Sequence, residues 1–163
     1  MGFPITWTSA FMQAALEALI AAGSSSIGVL GAARCGLGQN VITPGPGTEW
    51  ADFDEGGYTG YAEPAVIVWS AYINETDGSK TCLSPEQLFR CTGSSSVTMN
   101  SFFVNDGAGI DSVTHMGSTS TTIYGSGQLV PGKSFSAVGD GFGLTIAWNS
   151  GVATANCEAT STS

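Results

Sequence analysis

The sequence is short of charge, and above all of positive charge. Only 4 of its 163 residues are Lys or Arg, against 13 Asp or Glu, so the net charge is −9. A chain with so few cations releases few counterions from phosphates, which disfavours nucleic acid as a partner, and the same charge disfavours anionic membranes. No run approaches the roughly 20 apolar residues that cross a bilayer. We therefore expect no nucleic-acid partner and no membrane partner.

Basic residues are also missing from the N-terminal region, where none precedes Arg34. A signal peptide places Lys or Arg ahead of an apolar stretch, and this order is not found here. We therefore expect the protein to be made in the cytoplasm without signal-directed export.

Few residues in the sequence are suited to catalysis. His115 is the single histidine, and the surrounding Val113–Met116 segment predicts an apolar strand in which the imidazole is packed rather than reactive. There is no G-x-S-x-G motif, and the paired glycines at Gly36–Gly38 and Gly139–Gly143 lack the strand, helix and lysine context of a phosphate loop. We expect no catalytic residue, no cofactor and no enzymatic activity.

The four cysteines contain no CxxC pair, which argues against a zinc site. Two interpretations stay open. The first is buried thiols. The second is one or two disulfides, with Cys82 and Cys91 close enough in sequence to close a short loop.

One acidic segment, Glu49–Glu55, could serve chemistry that needs paired carboxylates. Part of it resembles a calcium loop but lacks the distal Glu that completes one, and a glycosidase needs two carboxylates across a cleft. A solvated acidic turn is the favoured interpretation. We therefore expect no metal site.

What the sequence does have is small residues: 23 Gly, 20 Ser and 17 Thr make up over a third of the chain. Thr packs well on a pleated surface and Gly permits the backbone of tight turns, so short strands joined by turns are favoured. One segment differs, because Trp7–Ala22 has apolar residues at helical spacing. Thr8 or Ser9 can cap the start of this helix, and Gly23 can end it.

These patterns predict a mainly β protein, an antiparallel β-sandwich or jelly-roll-like domain with one N-terminal helix. We expect an N-terminal arm and helix at 1–23, a β-sandwich domain at 24–153 and a polar C-terminal tail at 154–163. A long loop is predicted at Gly36–Gly57. The expected strands are Ile27–Ala33, Tyr61–Ile73, Ser96–Val104, Ser112–Gly117, Thr121–Gly125, Lys133–Val138 and Leu144–Trp148.

The order of several short motifs between about residues 57 and 147 resembles a group of small bacteriophage virion proteins, known as head-decoration or tail-fibre proteins. The chain has Glu63–Pro64 where that group commonly has Arg, Met116 where it has Phe, and Lys133 where it often has Asp. The motifs that carry the resemblance are Gly57-Tyr58-x-x-Tyr61-Ala62, Ser112-Val113-Thr114-His115-Met116-Gly117, Gly127-x-Leu129, Pro131-Gly132-Lys133-Ser134-Phe135 and Gly143-Leu144-Thr145-Ile146.

The resemblance implies a virion structural protein that assembles with other proteins. The first expectation is a capsid decoration or cement protein on the outer surface of the particle, a homotrimer bound to the major capsid protein or to other virion proteins. The alternatives are a tail-fibre or adhesin-associated host-binding protein and a carbohydrate-binding module. The expected interface residues are large and lie outside the predicted strands: Phe3, Trp7, Trp50 and Phe53.

Overall fold

A computed structural model describes residues 2–11, 33–64, 67, 73–74, 76, 80–149 and 156–162. A short 3-10 helix spans Trp50–Asp52, and residues 9–11 begin a helix. The strands of the described part are β1 (Gly2–Pro4), β2 (Thr6–Trp7), β3 (Arg34–Gly38), β4 (Ile73–Asn74), β5 (Lys80–Leu83), β6 (Gln87–Arg90), β7 (Val97–Asn105), β8 (Ile123–Phe135), β9 (Gly141–Asn149) and β10 (Asn156–Thr162).

The strands form two antiparallel sheets, so the chain is mainly β. The first sheet has the order β1-β10-β9-β5-β4, and β6 pairs with β9 next to β5. The second has the order β2-β8-β7-β3. Because β1 belongs to the first sheet and β2 to the second, the N-terminal segment ties the two sheets together.

One hydrophobic core receives side chains from both sheets. Phe89, Phe142 and Ile146 come from the first sheet, and Phe102 and Phe135 come from the second; all five are at most 1% exposed. A shared core between two antiparallel sheets is consistent with a β-sandwich.

Strand β7 is buried on both of its faces from Ser101 to Asn105. Phe102 faces the shared core, while the next residue, Phe103, points to the opposite side and packs against Phe53 with ring centroids 4.5 Å apart. The long loop after β3 therefore covers the outer face of the second sheet. A side chain at Gly36 would place its Cβ 2.3 Å from the Phe103 ring, so this position needs glycine.

The helix prediction is wrong at its start. Trp7 lies in β2 and pairs with Gly125 instead of opening a helix. The helix begins after Thr8, whose Oγ1 accepts a hydrogen bond from the Phe11 amide at 3.2 Å and donates one to the Ile123 carbonyl at 2.7 Å. Thr8 is therefore the N-cap, as expected. The rest of the predicted helix lies outside the described residues.

Two strand predictions, Ser96–Val104 and Leu144–Trp148, are confirmed by β7 and β9. The predicted strands Thr121–Gly125 and Lys133–Val138 both overlap a single strand, β8, although the sequence favoured a break between them; residues 136–138 lie beyond its end. The predicted strand Ile27–Ala33 lies outside the described residues except for its last position, and β3 follows it.

Two predictions are wrong, and a third is wrong at its start. Ser112–Gly117 is a turn and not a strand, because Asp111 accepts hydrogen bonds from the amides that follow it; His115 is exposed there with φ of 54°. In the predicted strand Tyr61–Ile73, residues 61–64 are irregular, Ile73 lies in β4, and residues 65–66 and 68–72 lie outside the described residues. The predicted tail at 154–163 includes β10, which pairs with both β1 and β9.

Of the two interpretations of the cysteines, a disulfide between Cys82 and Cys91 is excluded. Cys82 pairs with Trp148 and Arg90 pairs with Gly141, seven positions apart on β9. At about 3.3 Å per residue these points lie roughly 23 Å apart, whereas a disulfide needs Cα atoms within about 7 Å. Cys91 is a buried free thiol that donates to the Gly93 carbonyl at 2.9 Å.

Candidate functional site

The acidic segment Glu49–Glu55 does not form a uniformly solvated turn, because its last carboxylate turns inward. Glu55 is only 9% exposed and its backbone forms an isolated bridge with Gly38 at the edge of β3. Its Oε2 accepts hydrogen bonds from the Trp50 indole at 2.7 Å and from the Gly117 amide at 2.8 Å. The carboxylate therefore joins the acidic segment to the turn after His115.

A second carboxyl group, Glu63, lies in the same buried region and is 4% exposed. Its Oε1 accepts a hydrogen bond from Asn105 Nδ2 at 2.8 Å, and its backbone amide donates to the His115 carbonyl at 3.1 Å. Tyr61 stands between the two acids in sequence; its hydroxyl donates to Glu55 Oε1 at 2.8 Å and accepts from the Leu37 amide at 3.0 Å. We call Glu55, Tyr61, Glu63 and Asn105 the acid cluster.

Burial controls the electrostatics of the acid cluster. Loss of solvation, and then the nearby charge of Glu55, raise the pKa of Glu63 from 4.5 to about 9, so Glu63 is protonated at neutral pH. Burial also raises the pKa of the Cys35 thiol, with Glu63 and Glu55 adding to the effect, so this thiol is unreactive.

The acid cluster fits a structural role better than a catalytic one. Both carboxyl groups are nearly buried, and the hydrogen bonds of Glu55 go to groups of the chain itself. Within the acid cluster, Oε2 of Glu63 is a buried oxygen without a hydrogen-bond partner among the described residues. The arrangement fastens residues 50–64 and 115–117 to the edge of β3.

An open cleft of about 410 Å³ lies on the other side of Trp50. One wall is the segment from Pro46 to Ala51, and the other is formed by residues 119 and 121–123 together with Thr8 and Ala10. Trp50 is half-buried and packs against the Phe53–Phe103 cluster. Exposed threonines, Thr119 and Thr122, lie along the rim.

Two surface turns are each held by one carboxylate. Asp111 Oδ1 accepts from the amides of Val113 and Thr114 at 2.8 and 2.6 Å. Asp140 Oδ2 accepts from the Ser136 and Ala137 amides at 2.7 and 2.9 Å. These hydrogen bonds lower the pKa of both carboxyl groups, so both aspartates are ionised at neutral pH. We call them the Asp111 turn and the Asp140 turn.

Each of these turns presents an exposed valine. Val113 is 83% exposed and Val138 is 72% exposed, the two highest values among the exposed large hydrophobic residues of the described part. The turns differ in position, since the Asp140 turn joins β8 to β9 and the Asp111 turn lies between β7 and β8.

Three of the four expected interface residues are core residues instead. Phe3 and Trp7 are 5% and 7% exposed within the shared core, and Phe53 is 7% exposed on the outer face of the second sheet. Each is covered by its own chain, so none can anchor a partner from this position. Only Trp50 keeps part of its surface open.

Sequence reasoning missed the acid cluster and the two turns. Glu63 interrupts the apolar stretch Tyr61–Ile67, and a lone acid in such a stretch is the available signal of a buried partner. The Asp111 turn also had a signal, Asp followed by Ser, because aspartate often accepts the amides two and three residues ahead. The apolar Val113–Met116 segment favoured a strand instead, and the turn was missed.

Comparison with protein-family models, with curated proteins and with solved structures gave no match. In the described part of the chain, no group of three or more His, Cys, Asp or Glu side chains is placed to hold a metal ion. None of the helices within the described ranges is long and apolar enough to cross a membrane.

Proposed function

We propose that this chain is a non-enzymatic structural protein of a bacteriophage virion. It decorates the outer surface of the head as a homotrimer and stabilises the shell by non-covalent contacts with the major capsid protein or other virion proteins. The order of sequence motifs, the acidic composition and the mainly β fold support this proposal together.

The observation that carries the proposal is the pair of stiff turns. Val113 and Val138 extend into solvent from turns whose backbone amides donate hydrogen bonds to Asp111 and Asp140. A contact residue that is already fixed loses little conformational entropy on docking, so even a small apolar side chain contributes to binding. Many copies on one particle then multiply a weak contact.

The charge of the chain fits the outside of a shell. A net charge of −9 repels packaged nucleic acid, and the few exposed cations give no counter-attraction. Most of the large aromatic side chains in the described part of the chain lie in the core, which leaves the turns and exposed threonines such as Thr119 and Thr122 for contact.

The test is to add purified protein to shells that lack it, then to heat or osmotically shock them. Wild-type protein should sediment as a trimer and protect the shells. Val113→Asp and Val138→Asp should weaken shell binding about tenfold or more, because each places a charge in a dry contact. Val130→Asp is the matched control, since Val130 is 62% exposed but lies in β8 outside both turns.

If the wild-type protein leaves shells unprotected and binds host cells instead, the decoration proposal fails and the tail-fibre alternative replaces it. If all three variants bind as the wild type does, the two turns are not the contact.

A further inference from the structure

We propose that the cleft beside Trp50 binds a neutral saccharide ring. This inference uses the cleft alone and does not depend on the virion proposal. A volume of about 410 Å³ lies within the range of roughly 300–1,000 Å³ that is typical of small-molecule sites.

The lining of the cleft combines an aromatic wall with a hydroxyl rim. Trp50 and Ala51 supply apolar surface, and Thr119 and Thr122 supply exposed hydroxyls that both donate and accept hydrogen bonds. A saccharide ring has the complementary pattern, with apolar C–H faces and hydroxyls around its edge. Most polar ligands of this size lack the apolar face, and most apolar ligands lack the polar edge.

The charge of the cleft further restricts the class of ligand that it can bind. Among the described residues that line the cleft, Glu49 is the single ionisable one, and none is Lys, Arg or His. A phosphate, a sulfate or an acidic sugar would therefore enter a site that has no cation to pair with it, in a chain of net charge −9. A neutral polyhydroxyl ligand carries no such penalty.

Hydrogen bonds within the chain support both walls of the cleft. Trp50 is held by its bond to Glu55, and Gly117 sits so close that a Cβ there would lie 2.5 Å from the indole nitrogen. Thr8 bonds to the Ile123 carbonyl, and Thr121 bonds to the Ala108 carbonyl at 2.8 Å. A fixed aromatic platform stacks a ring without the entropy cost of ordering itself.

The probes are methyl glycosides of glucose, galactose and N-acetylglucosamine, together with linear oligosaccharides and polysaccharides of each. Binding is measured with the whole chain by saturation-transfer NMR and calorimetry, up to about 20 mM ligand, where weak affinities are still measurable. At least one neutral sugar should bind, and sialic acid and heparin should bind more weakly. Comparing the affinity for each methyl glycoside with the affinity for its polysaccharide shows whether the ligand is a free sugar or a surface polysaccharide.

Three variants separate cleft binding from non-specific binding. Ala51→Arg places a long side chain over the cleft and should abolish binding. Thr119→Val and Thr122→Val should each weaken it about fivefold, because each removes one hydrogen-bonding hydroxyl without changing shape. Thr43→Val changes an exposed threonine outside this cleft and should leave the affinity unchanged. Thermal melting checks that all of them are folded.

Absence of neutral-sugar binding over this range overturns the proposal. So does tighter binding of the acidic saccharides, or an affinity that Ala51→Arg and the two cleft valines leave intact. Because the readout uses no virion, these outcomes are distinct from failure of the shell experiment.

Discussion

The indole nitrogen of Trp50 donates a 2.7 Å hydrogen bond to Oε2 of Glu55. This bond links the open cleft to the buried acid cluster, since the same carboxylate also accepts from Gly117 and Tyr61. One side chain therefore fixes the aromatic wall of the cleft, the end of the Asp111 turn and the edge of β3.

Glu55→Gln should destabilise the protein by about 2–3 kcal/mol. A carboxylate accepts from all three donors, whereas an amide presents one NH₂ group that faces a donor and leaves a buried group unpaired. Urea unfolding measures the change. Asp54→Asn is the matched control, because Asp54 is exposed one position away and should shift stability by less than about 0.5 kcal/mol. Equal effects of the two substitutions would contradict the role given to Glu55.

The pH dependence of stability should reveal the proton on Glu63. Its pKa is raised from 4.5 to about 9, so between these values the folded chain holds a proton that the unfolded chain has released. The free energy of unfolding should therefore fall as pH rises across this window, with a slope of up to about 1.4 kcal/mol per pH unit. Below pH 4.5 both states are protonated, and this contribution is fully present.

Glu63→Gln supplies the control, since an amide imitates the protonated acid. It keeps an acceptor for Asn105 and carries no charge, so stability near neutral pH should be retained and the slope should flatten. A wild-type profile that is level between about pH 6 and 9, or an unchanged slope in the variant, would show that Glu63 is not the group that titrates.

The fold class could be predicted from the sequence, but the acid cluster could not. β7 and β9 are visible because β-branched and aromatic residues recur along them between turn residues. The approach of Glu55 to Glu63 depends on how residues 55–64 cross the edge of β3, which no local pattern encodes. The burial of Phe3 and Trp7 is equally non-local, because it requires pairing with β10 and β8.

The close approach of the two sheets can be tested at Gly127. A Cβ there would lie 2.5 Å from both the Phe102 ring and the Pro4 carbonyl oxygen, which belong to different sheets. Gly127→Ala should therefore cost about 1–3 kcal/mol through overpacking. Gly47→Ala is the control, because nothing lies within 4 Å of its Cβ; it should be neutral or slightly stabilising. Calorimetric melting of both variants gives the comparison. A tolerated Gly127→Ala would mean that the sheets are farther apart than described.

The last prediction is that shell protection depends on the rigidity of the Asp140 turn. Asp140 Oδ2 accepts three hydrogen bonds, from the amides of Ser136 and Ala137 and from the Ser136 hydroxyl at 3.1 Å. Hydrogen bonds to a charged acceptor are stronger than those to a neutral one, so Asp140→Asn should loosen the turn. The variant still carries the Val138 side chain. Amide hydrogen exchange at residues 136 and 137 should become about tenfold faster, and shell protection should weaken in parallel.

Acid should act on the wild-type turn in the same direction. The lowered pKa of Asp140 means that its contribution is complete above the ordinary value of 3.8 and is lost as pH falls through the folded value below it. Asp54→Asn, which removes an exposed charge elsewhere, should change neither exchange nor shell protection. If exchange accelerates in Asp140→Asn but shell protection is undiminished, the stiffness of this turn is irrelevant to the contact. Decoration would then have to depend on the Asp111 turn, where Val113 is the more exposed of the two valines.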